Sequence, residues 1–306
     1  MKDFSQNEWG LVLAGGGGKG AYQIGAFKAL WENNLQDYIT AVSGTSVGAL
    51  NAVLFAYGDE NVARDVWSHI TPKQFLEISP EMIDFKEGIV SRDGLLEIFD
   101  NYVNMEEIRT SDKAIYVAAT EFDEYGTGQG EAKYFKLNYM PVDDMKKILL
   151  ASSALPIIYS PVDIDGRMYR DGGLKDNLPI EPLYRDGIRH FIVIGLSTER
   201  RIDYERYPDA EFVYIKPSRD IGDFWDGTLD FTFKGAKVRM ELGYLDAVRT
   251  LEYSDKNMDD PGVKQAYNIA VQSDCDRIIF DYKKADLEQK VNSDMDKIND
   301  LINKYM

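Results

Sequence analysis

The chain has 306 residues, 44% of them hydrophobic, enough for one large α/β domain with a filled core or for two small ones. Its 52 Asp and Glu against 35 Lys and Arg leave a formal charge of −17, which argues against nucleic acid as a partner and gives no electrostatic help at an anionic membrane. Cys275 is the only cysteine, so neither an intramolecular disulfide nor a cysteine metal cluster is open to it. With no signal-peptide core and no apolar stretch of membrane-span length, a soluble cytoplasmic protein in a reducing compartment is expected.

The first element, Trp9-Gly10-Leu11-Val12-Leu13-Ala14, is a short apolar run suited to a buried parallel strand. It feeds into Gly15-Gly16-Gly17-Gly18-Lys19-Gly20, which opens a helix with Ala21, Ile24, Phe27, Leu30, Trp31 and the stem of Lys28 at helical spacing. Three chemistries share this layout. A dinucleotide site matches Gly15-x-Gly17-x-x-Gly20, but the second strand ends in Val42-Ser43-Gly44 without the acidic residue that binds a ribose. A P-loop needs Ser or Thr after its lysine, and Lys19 is followed by Gly20 and Ala21. The third chemistry is an oxyanion hole, built from backbone N–H groups at a helix N-terminus.

The next strand, Tyr38 to Val42, leads into Gly44-Thr45-Ser46-Val47-Gly48 and a helix over Val47 to Ala56. G-x-S-x-G between strand and helix is the nucleophile elbow, a sharp turn that lifts the serine hydroxyl above the sheet edge. A glycine-rich turn with a helix-capping serine is the alternative. In a parallel βαβ unit the ends of the first two strands lie side by side, so the glycine N–H groups and Ser46 can face one small volume.

Residues 59–104 are patterned as helix, with Val62, Val66, Trp67, Ile70, Leu95, Leu96, Ile98, Phe99 and Val103 as buried positions. Strands follow at 114–120 and 132–137 about a turn at 123–130. Then come a helix over Met145 to Ala151 and a hairpin, Pro161 to Ile164 with Met168 to Arg170. The hairpin delivers Asp171-Gly172-Gly173, either a polar turn or a carboxylate brought close to another element. The histidines narrow the choice. His69 sits at a helix end, and His190 precedes Phe191-Ile192-Val193-Ile194-Gly195 at the start of a strand, the wrong sheet edge for Ser46. A serine hydrolase built from this chain needs a carboxylate as its base.

With these residues in place, the sequence resembles the patatin-like phospholipase family. Gly15 to Gly20 match its glycine-rich block, Gly44 to Gly48 its nucleophile elbow, and Asp171-Gly172-Gly173 its aspartate block; Ala151 to Pro156 and Asn177-Leu178-Pro179 also resemble family stretches. The resemblance runs from about Trp9 to Leu196. It implies a three-layer α/β/α sandwich with a mostly parallel sheet, and hydrolysis of phospholipid or other lipid esters by a Ser46 nucleophile with Asp171 as general base. Gly15, Gly16, Gly17 and Gly18 would form the oxyanion hole, while Lys19, Gly20, Gly44, Gly48, Gly172 and Gly173 would support the motifs. No cofactor and no metal are implied. A non-catalytic module that keeps the fold, and a nucleotide-binding protein using the glycine loop, are the rival functions.

Past Leu196, a strand is expected over Glu211 to Ile215 and a helix over Lys234 to Glu252 with Val238, Leu242, Leu245 and Val248 inward. The catalytic domain is thus placed at 1–252, and 253–306 is a helical extension packed on it, with Tyr253 to Pro261 as linker. The stripe Leu287, Val291, Met295, Ile298, Ile302 and Tyr305 packs on its own domain or forms a homodimer contact. Phe224-Trp225 and Phe231 to Phe233 either plug the core or form a flap, hinged at Gly222 and Gly227, whose Trp225 touches lipid. Such a protein would contact membranes transiently, at the inner surface.

Overall fold

The computed structural model describes residues 2–69, 101–122, 130–156, 158–280 and 284, without the side chains of Phe224 and Trp225. Eight strands form one sheet: β1 (Trp9–Leu13), β2 (Ile39–Thr45), β3 (Ala114–Phe122), β4 (Glu131–Lys136), β5 (Val162–Ile164), β6 (Arg167–Asp171), β7 (His190–Ile194) and β8 (Glu211–Ile215). Hydrogen-bonded pairing runs β5-β6-β3-β2-β1-β7-β8, with β4 also paired to β3. β1, β2, β3, β7 and β8 are mutually parallel, while β4 and β6 run antiparallel to β3.

The parallel strands are apolar on both faces because helices cover both. One face carries Val12, Ala41, Phe191, Val193 and Tyr214 against Ile180, Leu183 and Ile188, which lie in and beside the short helix α6 (Glu181–Arg185). The opposite face, with Leu11, Leu13, Val42, Ile192 and Ile194 fully buried, is the side of the long helices α1 (Ala21–Glu32), α2 (Val47–Tyr57) and α7 (Phe233–Glu252). Layers of helix, sheet and helix result, the expected three-layer α/β/α fold. The other α-helices among the described residues are α3 (Glu60–His69), α4 (Met105–Arg109), α5 (Val142–Ser152) and α8 over residues 261–280.

Several sequence expectations change in detail. β2 extends three residues further than its apolar run, through Ser43, Gly44 and Thr45, because the parallel ladder to β1 and β3 continues to the elbow. In α7, Leu242 and Leu245 are buried but Val238 and Val248 only half-buried, and the helix also buries Arg239, Asp246 and Arg249. Lys28 is exposed and pairs with Glu32 at 3.8 Å. The stripe at 287–305, the turn at 123–129 and the buried positions expected between 70 and 100 lie outside the described residues. The chain divides into two compact units, Met1–Asp255 and Lys256–Met306.

Candidate active site

Ser46 closes β2 and opens α2 with backbone angles φ 55° and ψ −126°. A non-glycine residue held there costs about 1–3 kcal/mol and persists only where packing enforces it. The packing is tight on both sides. A Cβ at Gly48 would stand 2.3 Å from Leu13 O and 2.6 Å from Ala14 O, and one at Gly44 would stand 2.1 Å from Gly48 O. The first turn of α2 therefore rests directly on the end of β1. The Ser46 N–H donates to Ser152 Oγ at 2.8 Å, and that hydroxyl donates to Ala118 O at 2.6 Å. Ser152, fully buried at the end of α5, thus bolts the elbow to β3.

Asp171 reaches the same place through the sheet. β4 occupies one edge of β3 over Tyr116 to Glu121, so β2, paired with Ala114 to Ala118, and β6, paired with Ala119 to Phe122, must share the other edge end to end. Thr45 lies opposite Ala118 and Asp171 opposite Ala119. Because β6 is antiparallel to β3, its last residue runs head-on into the carboxyl end of β2. The turn after it is tight: a Cβ at Gly172 would meet Ala118 O at 2.4 Å.

Ser46 is 6% exposed and Asp171 3%. Asp171 Oδ1 accepts the Gly173 N–H at 2.8 Å, while Oδ2 is enclosed with no hydrogen bond of ordinary geometry. Burial pushes the Asp171 carboxyl up to about 6, against the opposing pull of the Ser46 hydroxyl and the Gly173 N–H. The Ser46 hydroxyl thus lies close enough to Asp171 to favour its ionised form, while the enclosed Oδ2 has no hydrogen-bond partner.

The glycine loop lies alongside. A Cβ at Gly15 would be 3.1 Å from Ser46 Cβ, and Asn177 Nδ2 donates to Gly15 O at 3.2 Å. Gly17 and Gly18 face the backbone of Thr228 and Asp230, and Gly20 packs on Val47 and Trp67. Lys19 is engaged elsewhere: its Nζ donates to Gly222 O at 3.0 Å, and desolvation lowers its pKa. Arg239 holds the same 221–230 segment, donating to the carbonyls of Ile221, Asp226 and Asp230 and to Asp230 Oδ2. The segment includes a π-helical turn over Phe224–Thr228; the Trp225 flap reading concerns a side chain outside those described.

A cleft of about 670 Å³ opens where β1 and β7 diverge at their carboxyl ends, lined by Gly15, Gly16, Asn177, Leu196, Arg201 and Ile221 among others. Such crevices are where open α/β sheets take ligands. The Gly15–Gly16 backbone is one wall of the cleft, and Ser46 stands behind Gly15. His190 opens β7 at the amino end, against Trp9, and the ring of His69 bonds to Asp65 O and stacks on Tyr102. Neither histidine shares the Ser46 site. No cluster of three or more His, Cys, Asp or Glu suited to a metal occurs among the described residues.

From the sequence alone, Ser152 and Asn177 belong only to stretches that resemble the family, with Ser152 just past the helix expected over Met145 to Ala151. Helical periodicity reports burial, not which backbone group a buried hydroxyl will meet.

Known proteins share sequence and fold with this chain. "Uncharacterized protein YjjU" of Escherichia coli is 27% identical over 206 residues, 63% of this chain and 53% of that protein. "Lysophospholipase NTE1" of Cryptococcus neoformans is 23% identical over 273 residues, 82% of this chain but 15% of that protein. The chain therefore spans about half or less of these relatives. The crystal structure of VipD from Legionella pneumophila superposes with a TM-score of 0.52 at 15% identity, covering 80% of this chain and 67% of VipD, a likeness of fold. The family model for patatin-like phospholipases matches residues 11–184, which hold the glycine loop, Ser46 and Asp171, and the chain belongs to that family.

Proposed function

We propose that the protein is a serine acyl hydrolase that cleaves carboxylic esters of phospholipids or related lipids, with Ser46 as nucleophile and Asp171 as general base. One observation carries the reading: a strained, nearly buried serine faces a buried carboxyl that has one unpartnered oxygen and a raised pKa. Ser46 Oγ adds to the ester carbonyl while its proton passes to Asp171, and the oxyanion is held by N–H groups of the Gly15–Gly18 loop. The carbon–oxygen bond to the alcohol then breaks, and Asp171 returns the proton to the leaving oxygen. Water repeats the sequence on the acyl-enzyme, giving the fatty acid and free serine. A carboxylate with an ordinary pKa is a poor base near neutral pH, and burial brings this one closer to the range the chemistry needs.

Lipid as the substrate class is supported by the family and by a relative named as a lysophospholipase. Brief contact with a lipid surface is part of the proposal. No described helix is long and apolar enough to cross a membrane. The test is labelling by a fluorophosphonate together with hydrolysis of p-nitrophenyl esters and lysophospholipids. The wild type is expected to be labelled at Ser46 and to turn over both substrates, and Ser46→Ala to do neither. Equal labelling of both proteins would refute the assignment.

A further inference from the structure

Beneath the glycine loop lies a chain of buried polar side chains that the mechanism does not use. Gln23 of α1 and Asn51 of α2 are 0% exposed, and Trp67 of α3 is 3% exposed. The Trp67 Nε1–H donates to Asn51 Oδ1 at 2.9 Å. Asn51 Nδ2 donates to Gln23 Oε1 at 2.7 Å and to Gly20 O at 3.0 Å. Gln23 Nε2 donates to Ala14 O at 2.9 Å and to Ile194 O at 3.3 Å.

The direction of this chain is dictated by its ends. An indole N–H can only donate and a backbone carbonyl can only accept, so each amide between them has one orientation that satisfies both neighbours. Both protons of each amide are used. A site this dry would ordinarily hold aliphatic side chains, and a fully satisfied polar network in their place holds its partners in one geometry.

What it holds is specific. Ala14 and Gly20 bracket the loop Gly15 to Gly20, so both ends of the loop are fixed by side-chain amides. One of these, Asn51, stands on the helix that begins immediately after Ser46. The other, Gln23, ties the start of the loop to Ile194, the last residue of β7.

We infer that Gln23 and Asn51 are positioning residues that hold the glycine loop in register with the Ser46 helix, so that its N–H groups point at the oxygen of the reacting ester. The inference rests on the hydrolase reading above. Its consequence is a loss confined to the transition state, since the amides touch the loop and not the substrate.

The test is Gln23→Met, which keeps the side chain's length and bulk but removes its donors and its amide oxygen. Three quantities are read on the full chain: kcat and KM on a soluble p-nitrophenyl ester, the rate ratio for a matched ester and thionoester, and the melting temperature. Sulfur accepts hydrogen bonds poorly, so the ester's advantage over the thionoester reports how well the oxyanion donors are aimed. In folded Gln23→Met, kcat is expected to fall about tenfold to a hundredfold with KM within about twofold, and the ester's advantage to shrink. A merely structural role would lower the melting temperature and leave the ratio at its wild-type value. A folded variant with wild-type kcat, or with reduced kcat and an unchanged ratio, overturns the inference. Should Gln23→Met not fold, Trp67→Phe deletes a single N–H while keeping the ring, and the same shift in ratio is expected at smaller amplitude. A wild type inert to both esters and to fluorophosphonate refutes the hydrolase reading and this inference with it; an active wild type with an indifferent Gln23→Met refutes only the inference.

Discussion

Thr45 and Asp171 end two different strands yet lie opposite consecutive residues of β3, Ala118 and Ala119, on the same edge. The residue after Thr45 is Ser46, so the sheet itself brings the serine and the carboxylate together. The turn at Gly172 is the tightest point of this junction, with Ala118 O 2.4 Å and Thr45 Cγ2 2.9 Å from where a Cβ would stand. Gly172→Ala must therefore move the turn that carries Asp171. A fall of about a hundredfold in the fluorophosphonate labelling rate of Ser46 is expected, with a lower melting temperature. Labelling at the wild-type rate would show that Asp171 is not the base.

Asp171→Asn keeps the shape of the side chain and removes its capacity to take a proton. Hydrolysis should be lost while the fold is kept. Stability should rise at neutral pH, because a buried carboxyl held at about 6 destabilises the folded chain when ionised, by at most about 3 kcal/mol. The sign follows from proton binding. Between the unfolded value near 4 and about 6 the folded state holds the proton more tightly, so wild-type stability falls as pH rises through that window. The melting-temperature gap between the Asn variant and wild type should open from pH 4 to pH 6 and then level off. A gap that is flat with pH would mean that the carboxyl titrates normally.

In the proposed mechanism the same carboxyl sets the acid limb of catalysis. As base it must be ionised, so kcat/KM on a soluble ester should fall tenfold per pH unit below an apparent pKa near 6. An acid limb near pH 4 would remove burial as the source of its basicity.

Ser152→Ala leaves the Ser46 N–H and Ala118 O without their shared hydroxyl, in a fully buried site. The cost in urea unfolding should be about 1–3 kcal/mol. Because the elbow is strained, kcat should fall by more than the folded fraction does; a purely proportional loss would make Ser152 structural only.

His69→Ala and His190→Ala should leave ester hydrolysis within about twofold, since neither ring reaches the site. His190→Ala should lower the melting temperature through its lost packing on Trp9, whose ring centroid is 5.2 Å away. A loss of activity in either variant without a loss of stability would return a histidine to the mechanism.

The glycine loop, the G-x-S-x-G elbow and the Asp-Gly-Gly turn were legible because each is local: a few consecutive residues whose steric demands only glycine meets. The alternation of strand and helix was legible for the same reason, since periodicity is a property of neighbours in the chain. That a serine hydrolase built from this chain would need a carboxylate as its base also followed from the sequence, by the scarcity and placement of the two histidines.

Only the tertiary structure decided what meets across long separations. Ser152 holds the elbow from 106 residues away, and Asn177 touches Gly15 from 162 away. Gln23 lies among the buried positions of α1, and its partners, the carbonyls of Ala14 and Ile194, come from the ends of β1 and β7. The buried Arg239 belongs with these, because its guanidinium finds its partners in a loop that no pattern in α7 announces. A buried polar side chain is tolerated only where its hydrogen bonds are met, and the partners that meet them are chosen by the fold, not by the residues beside it in the chain.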